Sequence, residues 1–254
     1  MSQALILCAG SSTRMGQPKA LCSLGNQTLL ERILTTLEQS GAQQPILATI
    51  VVAEPHGHAI CRWLLESRFH SLRVVWNQRP SDGMLSSIQH GLRSLDERAT
   101  GTLLWPVDVP LVKEQTVRTL LQHAAQRWLV PTSEGRGGHP VWLPAALWSD
   151  VLALPVDSSL RALRDHHPAL RIAVEDPEII CDIDTPEALK QADLRLRREG
   201  SRPVGVRCER EAVEGRRDVA LETGIGIALP GSADPRLAVE DQEIALAPLE
   251  QLDA

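Results

Sequence analysis

Short apolar runs alternate with amphipathic stretches through the first half of the chain. Residues 4–8 form an apolar run of strand length that ends in a polar loop containing glycine. Thr28 then begins an amphipathic stretch, in which Glu31 completes a capping-box pattern and Gly41 ends the helix. The alternation continues with strands at 46–53, 72–76 and 102–106 and helices at 58–68, 84–95 and 114–126. Strands and helices that take turns predict parallel βαβ units in one open sheet.

The pattern loosens beyond residue 127. Residues 128–131 and 140–143 have strand composition and flank the glycine-rich turn 134–138, which predicts an inserted hairpin. Pro186 suits the first turn of a final helix, because its missing N–H needs no intrahelical partner there. The predicted elements of this part are helices at 144–152 and 158–165, strands near 170–174 and 179–183, and the final amphipathic helix at 186–198.

Residues 201–254 differ in composition from the rest of the chain. They carry 6 arginines, no lysine and 11 acidic residues, a net charge of −5, whereas residues 1–200 carry 20 basic and 21 acidic residues. The segment has no aromatic residue and only three weak strand-like pieces. We therefore divide the chain into a domain over 1–200 and an acidic extension over 201–254, which is either a small β appendage or partly disordered.

The overall composition excludes several classes of protein. The chain has 254 residues, of which 43% are hydrophobic and 23% charged, and its net charge of −6 without a basic tract argues against a nucleic-acid partner. Its apolar runs fall short of the roughly 20 residues that cross a bilayer, and the amino terminus lacks a signal-peptide pattern. Five widely spaced cysteines without C-x-x-C disfavour a disulfide framework and a zinc ribbon. We expect a cytoplasmic protein with no membrane partner.

The loop after the first strand carries the strongest candidate chemistry. Gly10 and small hydroxyl residues let backbone N–H groups approach a polyphosphate, while Arg14 and Lys19 supply positive charge. The chain has only three lysines and 23 arginines. A lysine inside a motif, such as Lys19, is therefore less expected to be an ordinary surface residue. The loop is not a Walker A motif, because Gly10 and Gly16 are one residue too far apart. A nucleoside triphosphate is the indicated ligand, and a solvated crossover loop is the alternative.

Three acidic residues follow predicted strands. Asp108 lies between two prolines directly after an apolar strand. In a sheet of strand order 3-2-1-4 the first and fourth strands are neighbours, so we expect Asp108 to face the glycine loop. Asp182 and Asp184 alternate along an extended segment and therefore project to one side. Carboxylates opposite a polyphosphate indicate a bridging Mg²⁺, although each acid alone also fits a helix cap.

Two further groups of polar residues are candidate ligand contacts. Asn77, Gly83, Ser86 and Ser87 surround the start of the helix predicted at 84–95, where small polar groups can hydrogen-bond a base or a ribose. A glycine turn before a helix N-terminus is the commoner reason for such a pattern. His139 follows two glycines and is a candidate substrate contact, although a loop histidine is usually just solvated.

Five motifs of the chain together resemble those of one enzyme family. Segment 7–19 reads LCAGSSTRMGQPK and is similar to the signature L-x-A-G-x-S-x-R-M-G-x-x-K of the nucleotidyltransferases related to the molybdenum cofactor enzymes. The segments GMLSSIQHGL, VDVP, GGHPV and DIDTPEAL follow in the order and spacing of the cytidylyltransferase branch. The resemblance covers residues 3–198. It implies a Rossmann-like, doubly wound, mostly parallel α/β sheet of the nucleotide-diphospho-sugar-transferase type, with a small C-terminal appendage.

The resemblance also implies roles for individual residues. Arg14, Lys19 and Asp108 are the implied catalytic residues, and Asp108 with Asp182 or Asp184 would hold Mg²⁺. The acceptor would lie near His139. The nucleotide would be bound by residues of the glycine loop and around the later helix start, namely Ala9, Gly10, Ser11, Ser12, Gly16, Asn77, Gly83, Ser86 and Ser87.

The implied reaction is the transfer of CMP from CTP to the terminal phosphate of molybdopterin or its molybdenum-loaded form, with release of pyrophosphate. Positioning and charge neutralisation would supply the catalysis, so no side-chain nucleophile is required. The Ala9-Gly10 pair resembles the cytidylyltransferases, since the related guanylyltransferases tend to have two glycines there. A molybdoenzyme or its chaperone is a further implied partner.

Two alternatives stay open on the sequence. One is a related nucleotidyltransferase that acts on a sugar phosphate or an alcohol phosphate, and the other is a non-catalytic nucleotide-binding delivery factor for molybdoenzymes. A dinucleotide-dependent oxidoreductase is disfavoured, because its glycine fingerprint and ribose-binding acid are missing. Two features depart from the family pattern. The family usually has a small residue at the position of Cys8, and the acidic extension matches no part of the family pattern.

Overall fold

A nine-stranded mixed sheet forms the centre of the molecule, and a two-stranded ribbon is separate from it. The computed structural model describes residues 2–41, 45–70, 72–124, 127–164, 166–199 and 243–245. The strands are β1 (Ser2–Leu7), β2 (Ser23–Leu24), β3 (Gln27–Thr28), β4 (Leu47–Val52), β5 (Leu72–Trp76), β6 (Gly101–Pro106), β7 (Leu129–Ser133), β8 (Arg136–Gly137), β9 (Val141–Pro144), β10 (Leu170–Ala173) and β11 (Glu243–Ala245).

The strand order of the large sheet is β10-β7-β9-β6-β1-β4-β5-β11, with β8 paired to β7. Strands β5, β4, β1 and β6 run parallel, in the predicted order 3-2-1-4. The hairpin region adds β9 antiparallel to both β6 and β7, while β10 lies parallel to β7. The predicted Rossmann-like, mostly parallel α/β architecture is confirmed. The first and fourth predicted strands are neighbours, so the loops that follow β1 and β6 meet at one edge of the sheet.

Helices cover both faces of the sheet. Helix α1 begins at the predicted capping box, in which the Thr28 hydroxyl accepts from Glu31 N at 3.1 Å and Glu31 accepts from Thr28 N at 3.4 Å. Among the described residues, no helix is long and apolar enough to cross a membrane. The helices are α1 (Leu29–Ser40), α2 (Gly57–Glu66), α3 (Met84–Arg93), α4 (Glu114–Gln122), α5 (Trp148–Ala153) and α6 (Pro186–Glu199).

The core consists of two apolar clusters, one on each face of the sheet. Strand β1 shows the division, because Ala4 and Ile6 belong to one cluster while Leu5 and Leu7 belong to the other. Alternate residues of a strand point to opposite faces, so a strand buried on both sides is apolar throughout. The first cluster includes side chains of α1, α2 and α4, and the second includes those of α3 and α5.

Several predicted elements take another form. The predicted strand at 179–183 is instead the 3₁₀ helix Pro177–Ile180 followed by unpaired residues, because Asp176 accepts from Glu178 N at 3.2 Å and Pro177 fits a first helical turn. The helix predicted at 158–165 is the short 3₁₀ turn Leu160–Leu163, and Ala145–Leu147 is a 3₁₀ turn before α5. Helix α4 ends at Gln122, and residues 125 and 126 lie outside the described part.

The acidic extension contributes one described strand. Strand β11 pairs antiparallel with residues 73–75 of β5, at the end of the sheet. The other two strand-like pieces, at 203–206 and 224–229, lie outside the described residues. The division of the chain near residue 200 therefore stays a prediction.

Gly138 fixes how the segment before β9 packs against Pro177–Ile180. A side-chain carbon on Gly138 would overlap the backbone carbonyl of Ile179. The same contact includes hydrogen bonds from Gly138 N to Pro131 O at 2.9 Å and from His139 N to Ile179 O at 2.9 Å. Only glycine fits this position without moving backbone.

We expect Gly138→Ala to lower the free energy of unfolding by about 1–3 kcal/mol, because the added methyl group forces two backbone segments apart. Denaturant titration measures the change. Gly137→Ala is the matched control, since its side-chain carbon would meet a Val130 methyl group at 3.0 Å, which can shift by a few tenths of an ångström. Parent-like stability of Gly138→Ala would contradict the close backbone approach.

Candidate active site

The loop between β1 and Lys19 is organised around Ser12. The N–H groups of Met15 and Gly16 both donate to Ser12 O, at 2.9 and 3.2 Å, and Lys19 N donates to the Ser12 hydroxyl at 3.1 Å. Ser12 has a φ of 50°, in the left-handed region that non-glycine residues rarely adopt, and Gly16 has a φ of 66°. The hydrogen bonds to Ser12 hold this conformation and place Lys19 at the end of the loop.

Lys19 lies between two carboxylates from distant parts of the chain. Its Nζ donates to Asp184 Oδ1 at 2.5 Å and is 3.6 Å from Asp108 Oδ2. Arg14 donates to the other oxygen of Asp184 at 2.9 Å. The Lys19 hydrogen bond, with the charges of Lys19 and Arg14, holds the pKa of Asp184 below its ordinary value. Both predicted phosphate-binding cations are therefore paired with the same carboxylate.

Asp182 completes the acidic group at this edge of the sheet. Ile183 N donates to Asp108 O at 2.8 Å, which fastens the segment after Pro177–Ile180 to the end of β6. Partial burial raises the pKa of Asp182, and the charges of Asp108 and Asp184 raise it further. Asp182 thus interacts electrostatically with Asp184 and with Asp108, although Asp108 lies more than 70 residues earlier in the chain. Within the described residues, no group of three or more His, Cys, Asp or Glu side chains is arranged to hold a metal ion.

A first cavity of about 550 Å³ opens beside Lys19. Among the predicted nucleotide-binding residues, the following line it: Ala9, Gly10, Ser11, Ser12, Gly83 and Ser87, together with Lys19 and Asp108. Gly16 and Arg14 belong to the loop but are not part of the lining, and the Arg14 side chain is largely exposed. The cavity lies along the carboxyl ends of β1, β4 and β6, where a parallel sheet places its ligands.

Asn77 and Ser86 have internal partners instead of facing the first cavity. Asn77 is buried, and its Nδ2 donates to the hydroxyls of Ser86 and Ser87 at 2.8 and 2.9 Å. Its Oδ1 accepts from Arg79 N at 2.8 Å, and the Ser86 hydroxyl donates to Arg79 O at 2.9 Å. In this arrangement Asn77 joins the end of β5 to the start of α3, so it shapes the wall to which Gly83 and Ser87 contribute.

A second cavity, of about 750 Å³, adjoins the first. Leu7, Met84 and Pro106 line both cavities. His139 lines the second cavity, where burial lowers its pKa, while the charge of Asp108 and a hydrogen bond to the Leu104 backbone oppose that shift. Its Nδ1 has no hydrogen-bond partner among the described residues.

The sequence motifs did not predict that the loop after β4 contributes to the first cavity. Glu54 and His56 line the first cavity, and His56 Nε2 is 3.0 Å from the backbone carbonyl of Ser11. His56 thus braces the glycine loop from the neighbouring strand. The position of this loop at the carboxyl end of a parallel strand was the available signal, since ligand-binding loops gather there.

Cys8 contributes an uncharged side chain to the first cavity. The thiol is buried, and this burial, with the nearby charge of Asp108, raises its pKa. A thiol that stays protonated is a poor nucleophile. The departure from the family pattern at Cys8 is therefore a packing difference at the end of β1.

The pattern of the MobA-like NTP transferase domain matches residues 4–171. The chain belongs to this family. The match confirms the resemblance to the nucleotidyltransferases related to the molybdenum cofactor enzymes, and it covers the glycine loop, Asp108 and His139.

Curated relatives of this MobA-like chain carry different nucleotides in their names. The molybdenum cofactor guanylyltransferase of Sinorhizobium fredii is 28% identical, over 77% of this chain and 92% of the relative. The molybdenum cofactor cytidylyltransferase of Escherichia coli is 24% identical, over 72% and 91%. The bifunctional protein GlmU of Methylibium petroleiphilum is 32% identical over 48% of this chain, which spans only 26% of that relative.

Solved structures share the fold of this MobA-like chain. Rv0371c of Mycobacterium tuberculosis superposes with a TM-score of 0.62 at 24% identity, over 79% of this chain and 99% of the other. A nucleotidyl transferase from Methanothermobacter gives a TM-score of 0.66 at 20% identity, with the same coverage of both chains. A manganese complex of Rv0371c gives 0.60 at 23% identity, over 75% and 97%.

Replacing Lys19 by methionine should raise the pKa of Asp184, because the strongest hydrogen bond to its ionised form is lost. A carboxylate whose pKa is depressed stabilises the fold above its ordinary pKa and loses that contribution as the pH falls through the depressed value. Lys19→Met should therefore lose less stability on acidification than the parent does.

Carbon-detected NMR titration of the Asp184 carboxyl group measures the pKa, and urea titration between pH 7 and pH 3 measures the stability. Lys190→Met is the control, because Lys190 is exposed on α6. An unchanged Asp184 titration in Lys19→Met would show that the ion pair does not form in solution.

Proposed function

We propose that the protein transfers CMP from CTP to the terminal phosphate of a molybdopterin-type acceptor, with release of pyrophosphate. The observation that carries the proposal is the placement of Lys19, Asp108 and the glycine loop in a cavity that shares a wall with a second cavity. One cavity suits the nucleotide and the other the acceptor. The relatives named molybdenum cofactor cytidylyltransferase and guanylyltransferase support a molybdopterin-type acceptor. The Ala9-Gly10 pair favours CTP over GTP as the nucleotide.

In the proposed reaction an oxygen of the acceptor phosphate attacks the α-phosphorus of CTP. A new P–O bond forms as the bond from that phosphorus to the bridging oxygen breaks, and pyrophosphate leaves with the electron pair. Lys19 and Arg14 neutralise the charge on the phosphates, and the backbone N–H groups of the loop orient them. To bind Lys19, the phosphates take the place that Asp184 has in the described structure.

A divalent cation held by two carboxylates and the substrate phosphates would complement the negative charge of the acidic group. Partial burial and then the charges of Asp108 and Asp184 raise the pKa of Asp182, and a cation would relieve the part that comes from charge repulsion. Asp108 and Asp182 would hold the ion, since Mg²⁺ takes one or two carboxylates together with substrate phosphates. Asp184 joins them only when the phosphates have released it from Lys19. When bound, the ion withdraws charge from the phosphates and aligns them.

The cellular compartment that we propose for the reaction follows from the cysteines. Cys8, Cys22 and Cys61 are free thiols in the described residues, and the cytoplasm keeps thiols reduced. We therefore place the protein there, with a molybdoenzyme or its chaperone as recipient of the product.

Pyrophosphate release with the four ribonucleotides and molybdopterin tests the assignment. We expect turnover to be highest with CTP. Preference for GTP would make the protein a guanylyltransferase, and turnover only with sugar phosphates or alcohol phosphates would reject the molybdopterin acceptor. CTP binding without turnover would indicate a delivery factor.

Asp108→Asn and Asp182→Asn should each lower turnover by about 10²-fold and raise the Mg²⁺ concentration that half-saturates the reaction. Lys19→Ala should lower turnover by a similar factor at every Mg²⁺ concentration, because it removes a phosphate contact and not a metal ligand. Asp150→Asn is the control, since Asp150 pairs with His167 and neither residue lines either cavity. Parent-like turnover and metal dependence in both asparagine variants would show that these carboxylates are structural.

A further inference from the structure

Three arginines line the second cavity without an acidic counterpart. Arg161, Arg164 and Arg171 all contribute to its wall, and none of its lining residues is Asp or Glu. Among the described residues none of the three forms an ion pair, and Arg171 donates to the backbone carbonyl of Gly135 at 2.6 Å. The cavity therefore has a concentrated positive charge.

The first cavity shows the opposite arrangement. In the first cavity Lys19 forms an ion pair with Asp184 and lies close to Asp108, so the positive charge of Lys19 is balanced within the protein. The chain as a whole has a net charge of −6, and acids to pair with arginines are plentiful. Three guanidinium groups that face one space repel one another, and an anion with two or three oxygens relieves this through paired N–H donors. The second cavity is thus suited to an anionic ligand.

The wall of the second cavity includes a tryptophan whose buried N–H group has no partner among the described residues. Trp128 is only 4% exposed and lines the cavity, and its Nε1–H has no hydrogen-bond partner among the described residues. A buried donor without a partner is costly, so such groups usually bind an acceptor atom. The surrounding wall is apolar, with Leu85, Ile88 and Val141. An apolar wall with a single buried donor suits a flat heterocycle that has a hydrogen-bond acceptor on its edge.

We propose that the second cavity binds an anionic group that the acceptor carries in addition to its reacting phosphate, with Arg161, Arg164 and Arg171 as partners and Trp128 donating to the ring. The identification of this ligand as the acceptor rests on the proposed function. The reacting phosphate must lie beside the α-phosphate at Lys19, which lines the first cavity only. The anion at the arginines is therefore a second one. A simple alcohol phosphate has no group to fill this place.

Binding of pterin and of pterin-6-carboxylate to the full-length protein, followed by pterin fluorescence at constant ionic strength, tests the proposal. The two probes share a ring and differ by one anionic group. We expect pterin-6-carboxylate to bind the parent about tenfold more tightly than pterin does, because a charge-assisted hydrogen bond contributes a free energy of that size. In the double variant Arg161→Gln, Arg164→Gln this advantage should disappear. Both side chains are exposed, so folding is not at risk.

Arg98→Gln is the matched control, because Arg98 is an equally exposed arginine next to the amino end of β6, at the opposite edge of the sheet. It should keep the parent's preference for the carboxylate. Trp128→Phe keeps an aromatic side chain and removes the N–H, so it should weaken the binding of both pterins by the same factor of about three to ten. Removing the donor and removing the charges thus have distinguishable effects.

Equal affinities of the two pterins for the parent, or an unchanged preference in the double arginine variant, would overturn the anion subsite. Sulfate that binds as tightly as pterin-6-carboxylate would assign the arginines to a free anion and overturn the link to the acceptor. Absence of CTP turnover with every acceptor would reject the proposed function. If pterin-6-carboxylate still bound through the arginines in that case, the subsite would stand on its own.

Discussion

The ion pairs of Lys19 with Asp184 and Asp108 join three parts of the chain that are far apart in sequence. Lys19 ends the loop after β1, Asp108 follows β6, and Asp184 precedes α6. Without the ammonium group, Asp108 would lose the only cation that forms an ion pair with it among the described residues, and Asp184 would keep only Arg14. The same positive charge is what a triphosphate needs. A single side chain therefore balances the carboxylates of the site and, in the proposed function, would supply a main interaction with the nucleotide.

This double use imposes an exchange. In the proposed reaction the phosphates would compete with Asp184 for Lys19 and Arg14, so nucleotide binding would release a carboxylate at the place where the metal is proposed to enter. The binding energy of the nucleotide is partly spent on breaking the existing ion pairs, which favours a ligand with several negative charges over a monophosphate. None of the described residues that line the second cavity is acidic, so the proposed ligand would not have to displace a lining carboxylate from Arg161, Arg164 or Arg171.

The features that follow from local sequence were predictable, and those that depend on tertiary partners were not. The capping box at Thr28 and the order of the parallel strands follow from the pattern of short segments. The Asp176-Pro177 pair is a helix-start signal that the apolar run at 179–183 concealed. Asn77 looked like a ligand contact because its amide is polar, yet its partners Ser86 and Ser87 are set by the fold. Arginines such as Arg161 carry no motif in a chain that has 23 of them.

The direction of β9 explains how His139 reaches the site although it precedes a strand. Loops that follow parallel strands lie at the carboxyl edge of the sheet, and the glycine loop and Asp108 obey this rule. Because β9 runs antiparallel to β6, with Val141 opposite Leu104 and Pro144 opposite Gly101, its first residue lies near the carboxyl end of β6. The residues just before β9 are thus carried to the same edge, beside Pro106. One reversed strand therefore extends the binding edge of the sheet beyond β6, and the second cavity occupies the space that this extension creates.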